Sequence, residues 1–579
     1  MTSTLPIIDA ITVEVVNQSL AGIVREMQDS LFCTGYSTII RESRDASCAI
    51  VDPAGRVMAQ HIVLPLHFGA FPACTEALLR NYEPSEMAEG DAFIVNHPYQ
   101  GGSPHAPDMA VFAPIFIEGE LFGFTCSMAH KSDIGGLVPG SSSGMSREIF
   151  HDGIMIPPTR LYRQGELLKE IEIILRANSR TPDLIMGDIR GQVGSTWLGV
   201  DRVKQVCAKY GASTIAASAE RLFDMTEGRV RSAVRKWPDG TYKGEAMLHN
   251  DGIEGGKPVY IRVIVKIDGD QMHFDFRDSD NQCAGPFNIR PPLVQAVCSY
   301  VLKSLIDPDL PSNHGLSRVI NADFRQGSIL NPNLPAPVNT YMPVAHTTAE
   351  ALFDALGHAV PGAHSGECSG AIGGTLSHSD QRAGYPAVQY ELPGGAIGAR
   401  GDMDGVSASK SHVANGTTTS IEIVESEFPV RIERFELTPD TGGAGRFRGG
   451  LAYVRDYRIL GHSRLSTRGG RDLTPAEGRD GGLPGNLPKR IINPGTPEEY
   501  EVQATDGNID LKPGDLLRLQ QPGAGGYGDP RTRPIESVVS DVREGYVSPE
   551  SARRDYGVAV VRAGHTWTVD EAETTALRS

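Results

Sequence analysis

Along residues 9–32, apolar side chains recur every three or four positions, as at Val16, Leu20, Val24 and Leu31. This period puts the apolar side chains on one face of a helix. The sequence therefore predicts an amphipathic helix near the start of the chain. The same reasoning predicts further helices at residues 167–178, 186–210 and 293–306.

Shorter apolar or alternating runs lie between these helices and are typical of strands. Residues 47–60 predict a hairpin that turns at Asp52-Pro53-Ala54-Gly55, because proline presets φ and glycine closes the turn. A second hairpin at residues 260–279 alternates strongly and turns at Asp268-Gly269. Three more strands are predicted at residues 92–96, 109–117 and 121–130.

From about residue 420 onward, short strands alternate with glycine clusters such as TPDTGGAGRFRGG and QPGAGGYGDP. The chain has 65 glycines, many of them in pairs, which indicates many tight turns and a β-rich architecture. The tail is expected to hold one short helix at residues 548–557, with Ser548 as its N-cap, and then a charged, frayed end.

Composition narrows the class of protein. A length of 579 residues exceeds the size at which one hydrophobic core keeps growing, so several domains are expected. The net charge of −17 disfavours nucleic acid and anionic membrane as partners. No apolar run approaches the roughly 18 residues of a membrane span, and the start lacks a signal-peptide pattern, so a cytoplasmic location is expected.

The eight cysteines stand singly, with no CxxC pair, so neither a disulfide framework nor a thiolate zinc site is signalled. No GxxxxGK[ST] motif indicates a nucleotide phosphate loop, and the glycine-rich segments do not open a helix after a strand. SSSGMS lacks the spacing of a serine-hydrolase elbow.

The stretch HPYQGGSPHAPDM, residues 97–109, concentrates ligand-capable side chains between two predicted strands. His105 and Asp108 form an HxxD pair, His130 closes a later strand, and Asp45 precedes the first hairpin. Two imidazoles and two carboxylates can hold zinc, manganese or iron and still leave a position for water. The sequence therefore suggests a metal site, provided that the three strands are neighbours.

Interpretations of these residues that involve no metal remain open at this point. HxxD is common by chance, and Asp or His in a glycine-proline loop usually makes turn hydrogen bonds. His97 is a rival ligand, whereas His61 and His67 are expected to orient the backbone or to line a pocket. Asp133 could act as an outer partner or a general base, although a solvated loop carboxylate is the simpler interpretation.

Motifs in chain order carry a family resemblance: RDASCAIVDPAGRVMAQ, PLHFGAFP, GDAFIVNHPYQGGSPHAPDM, AHKSDIGG, SREIFHDGIMIPP, PSNHGLSRVI, GSILNPNLPAPV, TPDTGGAGRFRGG, PGAGGYGDP and GYVSPESARRDYGV. Together they resemble the B-subunit family of ATP-dependent hydantoinases and oxoprolinases. That family also includes B-type subunits of caprolactam-hydrolysing enzymes and related subunits of acetone and acetophenone carboxylases. The resemblance covers residues from about 10 to 560.

The resemblance implies a metal centre on this chain and an actin-like A subunit that binds ATP and Mg²⁺. The family's metal positions fall on Asp45, His105, Asp108 and His130, with zinc as the first choice and manganese or iron as alternatives. One departure is that relatives usually have aspartate-proline-tyrosine and a threonine before the first ligand. Here the stretch begins at His97 and has an added residue at Ser103-Pro104, which could reshape the pocket.

The function implied is that of the catalytic B subunit of a hydrolase that opens a small cyclic amide such as a hydantoin, 5-oxoproline or a lactam. An α2β2 heterotetramer or a larger complex is expected, and Asp133 or His151 would carry the proton. One alternative is a subunit of an ATP-dependent acetone- or acetophenone-type carboxylase, which would use bicarbonate. Another is a non-catalytic scaffold for the ATPase partner.

The expected fold is mixed α+β, multi-domain, and β-rich with many glycine-rich turns. The predicted domains are an N-terminal metal-binding catalytic domain at residues 1–240, a middle α+β region at 241–420, and a β-rich C-terminal region with a short terminal helix at 421–579.

Overall fold

The structure is a computed structural model that describes residues 8–61, 63–253, 256–379, 386–504 and 506–579. Helices and several separate sheets alternate along these residues, so the predicted mixed α+β, multi-domain fold is confirmed. Among the helices described, none is both long enough and apolar enough to cross a membrane.

The N-terminal region is built on a seven-stranded antiparallel sheet in the order β2-β1-β5-β4-β3-β6-β7. Its strands are β1 (Ala46–Val51), β2 (Val57–His61), β3 (Ala92–Val95), β4 (Asp108–Ile117), β5 (Glu120–His130), β6 (Thr159–Arg163) and β7 (Glu166–Leu167). The predicted first hairpin and the three following strands are confirmed. The strand β5 lies between β1 and β4. The three strands that carry the predicted metal ligands are therefore neighbours, as the hypothesis requires.

Helices cover both faces of this sheet. They are α1 (Ala10–Thr34), α2 (Thr38–Arg41), α3 (His67–Asn81), α4 (Pro98–Gly101), α5 (Lys169–Ala177), α6 (Pro182–Tyr210) and α7 (Ala212–Val234). Helix α1 begins after Asp9, whose carboxylate accepts the N–H groups of Ile11 and Thr12. The predicted helices are confirmed at α1, α5 and α6, whereas α3 and α7 were not predicted from the sequence.

Successive side chains of β1 point to opposite layers, as the period of a strand requires. Cys48 and Ile50 pack with α1, α6 and α7, while Ala49 and Val51 join a cluster that contains α3. All of these side chains are buried. The sheet is therefore covered on both faces, which explains why β1 reads as a continuous apolar run.

The middle region adds a four-stranded sheet in the order β11-β10-β9-β8, in which only β10 and β11 run parallel. Its elements are β8 (Gly240–Leu248), β9 (Val259–Asp268), β10 (Gln271–Asp275), α8 (Pro291–Ile306), α9 (His314–Ser317), β11 (Asn321–Asp323) and α10 (Tyr341–Gly357). The predicted β9–β10 hairpin and helix α8 are confirmed. One hydrophobic cluster runs from β1 and α3 through β9 to α8 and α10, so the first two predicted domains share a core.

The C-terminal region is rich in strands, as predicted, and forms two sheets in the orders β13-β12-β16-β19 and β14-β15-β20-β17-β18. Their elements are β12 (Ile372–His378), β13 (Ala387–Tyr390), α11 (Ile421–Glu427), β14 (Val430–Leu437), β15 (Tyr453–Ile459), β16 (Ser463–Gly469), β17 (Lys489–Ile492), β18 (Tyr500–Glu501), β19 (Ile509–Leu511) and β20 (Leu516–Gln520). Leu376 and Leu465 of the first sheet pack with Tyr457 and Leu517 of the second. The domain boundaries near residues 240 and 420 stay predictions.

The tail is more ordered than its sequence predicts. It holds α12 (Ile535–Arg543), α13 (Pro549–Arg554), a hairpin of β21 (Val560–Ala563) and β22 (Thr566–Val569), and α14 (Glu571–Arg578). Ser548 caps α13 as predicted, because its hydroxyl accepts the N–H of Ser551. The prediction of a frayed end is wrong, since Val560 and Trp567 pack onto the apolar cluster formed by α12 and α13.

Asn96, which follows β3, joins three backbone segments. Its Nδ2 donates to the carbonyl oxygens of Ala106 at 2.6 Å and Ile154 at 2.9 Å, and its Oδ1 accepts the N–H of Ile156 at 2.6 Å. The side chain is fully buried. Because Ala106 is adjacent to His105, Asn96 fixes the loop that carries the HxxD pair.

We expect Asn96→Ala to lower the free energy of unfolding by about 2–4 kcal/mol, because it leaves two buried backbone groups and one half-buried group without partners. Calorimetric thermal unfolding measures the change. The control is Asn178→Ala, which removes one bond to the carbonyl of Ile174 at an exposed position and should change stability by no more than about 0.5 kcal/mol. Equal midpoints for the two variants would contradict this role of Asn96.

Candidate metal centre

Strand pairing brings three of the predicted ligands together. Asp108 begins β4 and His130 ends β5, and the two residues are direct cross-strand partners. On the other side of β5, Ala46 pairs with Ala129, so Asp45 lies beside His130. The N–H of His130 donates to the carbonyl of Asp45 at 3.1 Å. The three side chains therefore meet at one end of three adjacent strands.

The loop before β4 supplies His105. The N–H of Asp108 donates to the carbonyl of His105 at 3.1 Å, which folds the HxxD turn onto the strand. Gly102 has a φ of +82°, and a Cβ there would lie 2.7 Å from the Cβ of Ala73 in α3. A side chain at this position would push the loop off α3, so the glycine allows the loop to lie close to the helix.

The polar atoms of the four predicted ligands converge. His105 Nε2 lies 3.3 Å from Asp108 Oδ2, and His130 Nδ1 lies 3.3 Å from Asp108 Oδ1. The two ring nitrogens are 3.2 Å apart, and Asp45 Oδ2 lies 3.9 Å from His130 Nδ1. All four side chains are buried. We refer to these four residues as the His105 cluster.

His67 joins the His105 cluster as a fifth side chain. It begins α3, its Nδ1 lies 2.9 Å from Ser47 Oγ, and its Nε2 lies 3.8 Å from Asp108 Oδ2. The hydroxyl of Tyr341 donates to the same carboxylate oxygen at 3.4 Å. Sequence reasoning gave His67 a pocket or backbone role because α3 had not been recognised, and PLHFGAFP was the only signal that could have drawn attention to it.

The donor atoms fit a divalent metal ion. His105 Nδ1 donates to the carbonyl of Asn339 at 2.9 Å, which leaves the lone pair of Nε2 directed into the cluster. The 3.2 Å between the His105 and His130 nitrogens is close to the roughly 3.3 Å expected for two imidazole ligands of tetrahedral zinc. Within the described residues, the buried Nε2 of His67 has no hydrogen-bond partner. Nitrogen and oxygen donors without sulfur suit zinc, manganese or iron.

The charges of the cluster also favour a cation. Burial alone would raise the pKa of Asp108, but His105, His130 and His67 hold that pKa well below its usual value. Asp108 is therefore ionised at neutral pH. Burial raises the pKa of Asp45, although His130 opposes the rise. A bound cation would offset the cost of burying both carboxylates.

Asn339 links the cluster to the loop at residues 132–148. Its Nδ2 donates to the carbonyl of Ser141 at 2.5 Å, and its Oδ1 accepts the hydroxyl of Ser142 at 2.9 Å. The backbone carbonyl of Asn339 holds His105, as described above. The middle region and this loop therefore orient a ligand of the N-terminal sheet.

The three other sequence candidates lie apart from the cluster. The carboxylate of Asp133 accepts the N–H groups of Gly135 and Gly140 and two bonds from Arg180, so it closes the loop. His151 is partly exposed and accepts the N–H of Arg147 at 3.2 Å. His97 accepts two backbone N–H groups at the start of α4, so this rival ligand is a helix cap. Proton transfer by Asp133 or His151 stays a prediction.

Asp45, His105 and His130 of the His105 cluster line a cavity of about 170 Å³. The ring of Tyr390 packs on His130 with centroids 4.6 Å apart, and the guanidinium of Arg468 lies 3.9 Å from the centroid of Tyr390. Apolar side chains complete the walls, and they include Leu248, Phe287, Met342, Ile372 and Leu392. The space suits a small, mostly apolar ring with a few polar atoms.

Three titratable side chains of this cavity were missed by sequence reasoning. Burial lowers the pKa of His249 to about 4 and that of His346 to about 3, so both rings are neutral near pH 7. Burial lowers the pKa of Lys410 to about 7. Lys410 can therefore gain or lose a proton near neutral pH, which general acid–base chemistry requires.

Comparison with known proteins identifies the family. A sequence profile described as hydantoinase B/oxoprolinase matches residues 9–530. The chain belongs to this family. The resemblance recognised in the sequence is thereby confirmed.

Two similar proteins extend along the full chain of this hydantoinase B/oxoprolinase member. The putative B subunit of a D-/L-hydantoinase from Pseudomonas sp. (strain NS671) is 31% identical over 99% of this chain and 98% of its own. The crystal structure of an ATP-dependent caprolactamase from Pseudomonas jessenii superposes with a TM-score of 0.91 at 29% identity, covering 99% of this chain and 100% of that chain.

A nucleotide-free structure of acetone carboxylase shares the fold. It superposes with a TM-score of 0.88 at 18% identity, covering 98% of this chain and 82% of that chain.

We expect His105→Ala and Asp108→Ala each to lose one bound metal ion per chain, because each removes a donor atom of the His105 cluster. Elemental analysis after dialysis measures the loss. His67→Ala should weaken binding by a smaller factor, roughly 10- to 100-fold, because it orients Asp108 from outside. His61→Ala, at the end of β2, is the control and should keep its metal. Unchanged occupancy in both ligand variants would contradict the proposed site.

Asp152 gives a prediction about pH. Its Oδ1 accepts the hydroxyl of Ser146 at 2.6 Å, and burial raises its pKa from 3.8 to about 7. Between these pH values the folded chain keeps a proton that the unfolded chain has lost, so this group makes stability fall as pH rises from about 4 to about 7. Asp152→Asn stays neutral and avoids this loss.

We therefore expect Asp152→Asn to gain stability relative to the unmutated chain as pH rises from 4 to 7, by at most about 4 kcal/mol. Chemical denaturation at each pH measures the difference. Asp510→Asn, at an exposed position, should stay within about 0.5 kcal/mol of the unmutated chain at both pH values. A pH-independent difference for Asp152→Asn would show that Asp152 is ionised in the folded chain.

Proposed function

We propose that this chain is the metal-dependent catalytic B subunit of an ATP-dependent hydrolase that opens a small cyclic amide. The observation that supports this most strongly is the convergence of His105, Asp108, His130 and Asp45, three of which line a largely apolar cavity. Membership of the hydantoinase B/oxoprolinase family supports the same conclusion.

The residues proposed to hold the ion are His105, Asp108, His130 and Asp45, with zinc as the first choice and manganese or iron as alternatives. When bound, such an ion polarises a carbonyl oxygen and lowers the pKa of a bound water. The hydroxyl of Tyr341 holds the carboxylate of Asp108 in place, and the ring of His67 lies beside it. The carbonyl of Asn339 fixes the His105 ring.

The rest of the cavity would bind and orient the ring. Tyr390 packs on His130 and offers a flat wall, and Phe287 and Met342 add apolar surface to the lining of the cavity. Lys410 lines the same cavity, and its pKa of about 7 suits the transfer of a proton to a leaving amide nitrogen. We assign this proton transfer to Lys410 rather than to Asp133 or His151, because Lys410 lines the cavity and the other two residues do not.

A second polypeptide would supply ATP and Mg²⁺. An amide in a relaxed ring is a poor electrophile, so phosphate from ATP is a reasonable means of activating its carbonyl oxygen. The sequence shows no phosphate-binding loop, the hydantoinase relative is named as one subunit of its enzyme, and the caprolactamase is described as ATP-dependent. We propose an actin-like A subunit as the partner, in an α2β2 or larger complex in the cytoplasm.

A subunit of an ATP-dependent ketone carboxylase is the second candidate. The fold shared with acetone carboxylase is compatible with it. Lys410, Arg468 and Arg471 line the cavity, and their positive charge would attract bicarbonate. The two candidates share the metal site and differ in the molecule that is attacked.

The test uses the chain co-purified with an A-type subunit, and hydantoin, 5-oxoproline and caprolactam as substrates. We expect ring opening only with both chains, ATP and Mg²⁺. His105→Ala should lower turnover by more than about 100-fold, beyond the usual effect of an outer partner, whereas His61→Ala should keep activity.

The outcomes separate the candidates. Ring opening by the isolated chain without ATP would contradict the proposal. Transfer of labelled carbon from bicarbonate into an acetone- or acetophenone-derived product, with no ring opening, would identify the carboxylase instead.

A further inference from the structure

A second cluster of ligand-capable side chains lies outside the His105 cluster. Glu350 is one turn beyond His346 in α10, Cys368 lies between α10 and β12, and His412 precedes α11. All three are buried. A carboxylate oxygen of Glu350, the sulfur of Cys368 and a ring nitrogen of His412 lie within 4.8 Å of one another.

The contacts around Glu350 hold this second cluster in place. Glu350 Oε1 accepts the N–H of Cys368 at 2.8 Å and lies 3.1 Å from His412 Nε2. The other ring nitrogen of His412 lies 3.1 Å from the hydroxyl oxygen of Tyr300. When Nδ1–H donates to Tyr300, the lone pair of Nε2 faces the carboxylate of Glu350, and a metal ion between them would be bound by both. An outer hydrogen bond on the second ring nitrogen is the usual arrangement for a metal-bound histidine.

The second cluster faces a cavity of its own. Cys368 and His412 line a space of about 710 Å³, together with Tyr300, Lys303 and Phe353. The next residues in sequence, Ser369 and Ser411, line the cavity of the His105 cluster instead. The second cluster thus belongs to the wall between two cavities and is open on the side away from the His105 cluster.

We propose that Glu350, Cys368 and His412 bind a second divalent ion, zinc, through one carboxylate oxygen, one thiolate and one imidazole nitrogen. Three protein ligands of mixed oxygen, sulfur and nitrogen type are characteristic of zinc sites that keep a fourth position open. Here that position faces the second cavity. Binding requires the thiolate, so the thiol proton of Cys368 passes to the solvent as the metal–sulfur bond forms.

The second zinc site can be tested separately from the proposed function. Only this site has a sulfur ligand, because the His105 cluster contains no sulfur. Cobalt(II) bound to a thiolate gives an intense near-ultraviolet charge-transfer band, whereas cobalt bound only by nitrogen and oxygen does not. Titration of the metal-free full chain with cobalt therefore reports the two sites separately. The unmutated chain should bind two cobalt ions, and one of them should give the band.

Three variants test the assignment. Cys368→Ser should abolish the band and bind one cobalt fewer per chain, while Cys207→Ser, at a similarly buried cysteine in α6, should keep both. His105→Ala should also lose one cobalt but keep the band. His412→Asn keeps the thiol and should weaken the affinity of the second site for cobalt, measured by the band. This variant tests the site if circular dichroism shows that Cys368→Ser does not fold.

Absence of the band in the unmutated chain would overturn the proposal and leave a proton, rather than a metal, between His412 and Glu350. Persistence of the band in Cys368→Ser, or unchanged affinity in His412→Asn, would also overturn it. Loss of ring opening in His105→Ala with an intact band would show that the two sites act separately.

Discussion

The pairing of Asp108 with His130 across β4 and β5 is the constraint on which the proposed metal centre depends. In an antiparallel pair, a slip of one residue turns every side chain to the opposite face, so the register alone decides whether these two groups can share an ion. The register is fixed because both faces of the sheet are buried, by α1 and α6 on one side and by α3 on the other. The neighbouring strand β1 then brings Asp45 beside His130.

The site is also built from parts that are distant in sequence. His105 is oriented by Asn339 and Asp108 by Tyr341, and both of these residues come from the middle region. That region shares a hydrophobic cluster with the N-terminal sheet, so packing energy holds the outer partners against the ligands. The buried carboxylates, which would be costly alone, are compensated by surrounding imidazoles. The proposed metal binding would therefore be coupled to the stability of this chain.

The sequence was enough to predict the four side chains of the His105 cluster, because the local pattern suggested them and the family resemblance pointed to the same four positions. It was not enough for His67, since the helix α3 that begins there carries Pro72 within it, which obscures the helical spacing of its apolar side chains. Lys410 and His412 lie in a stretch without helix or strand, where spacing carries no information. Glu350, Cys368 and His412 meet only through tertiary packing, and a rule based on CxxC pairs does not detect them. The ordered tail was missed because its apolar run at residues 558–561 is too short to distinguish a strand from a loop by its pattern.

The most direct test of the central claim is an anomalous-scattering map from crystals of the full chain, recorded at the absorption edge of the metal found by elemental analysis. The account predicts a peak within about 2.0–2.2 Å of His105 Nε2, His130 Nδ1 and an oxygen of Asp108. A map without a peak among these atoms, from crystals of metal-replete and active protein, would contradict it.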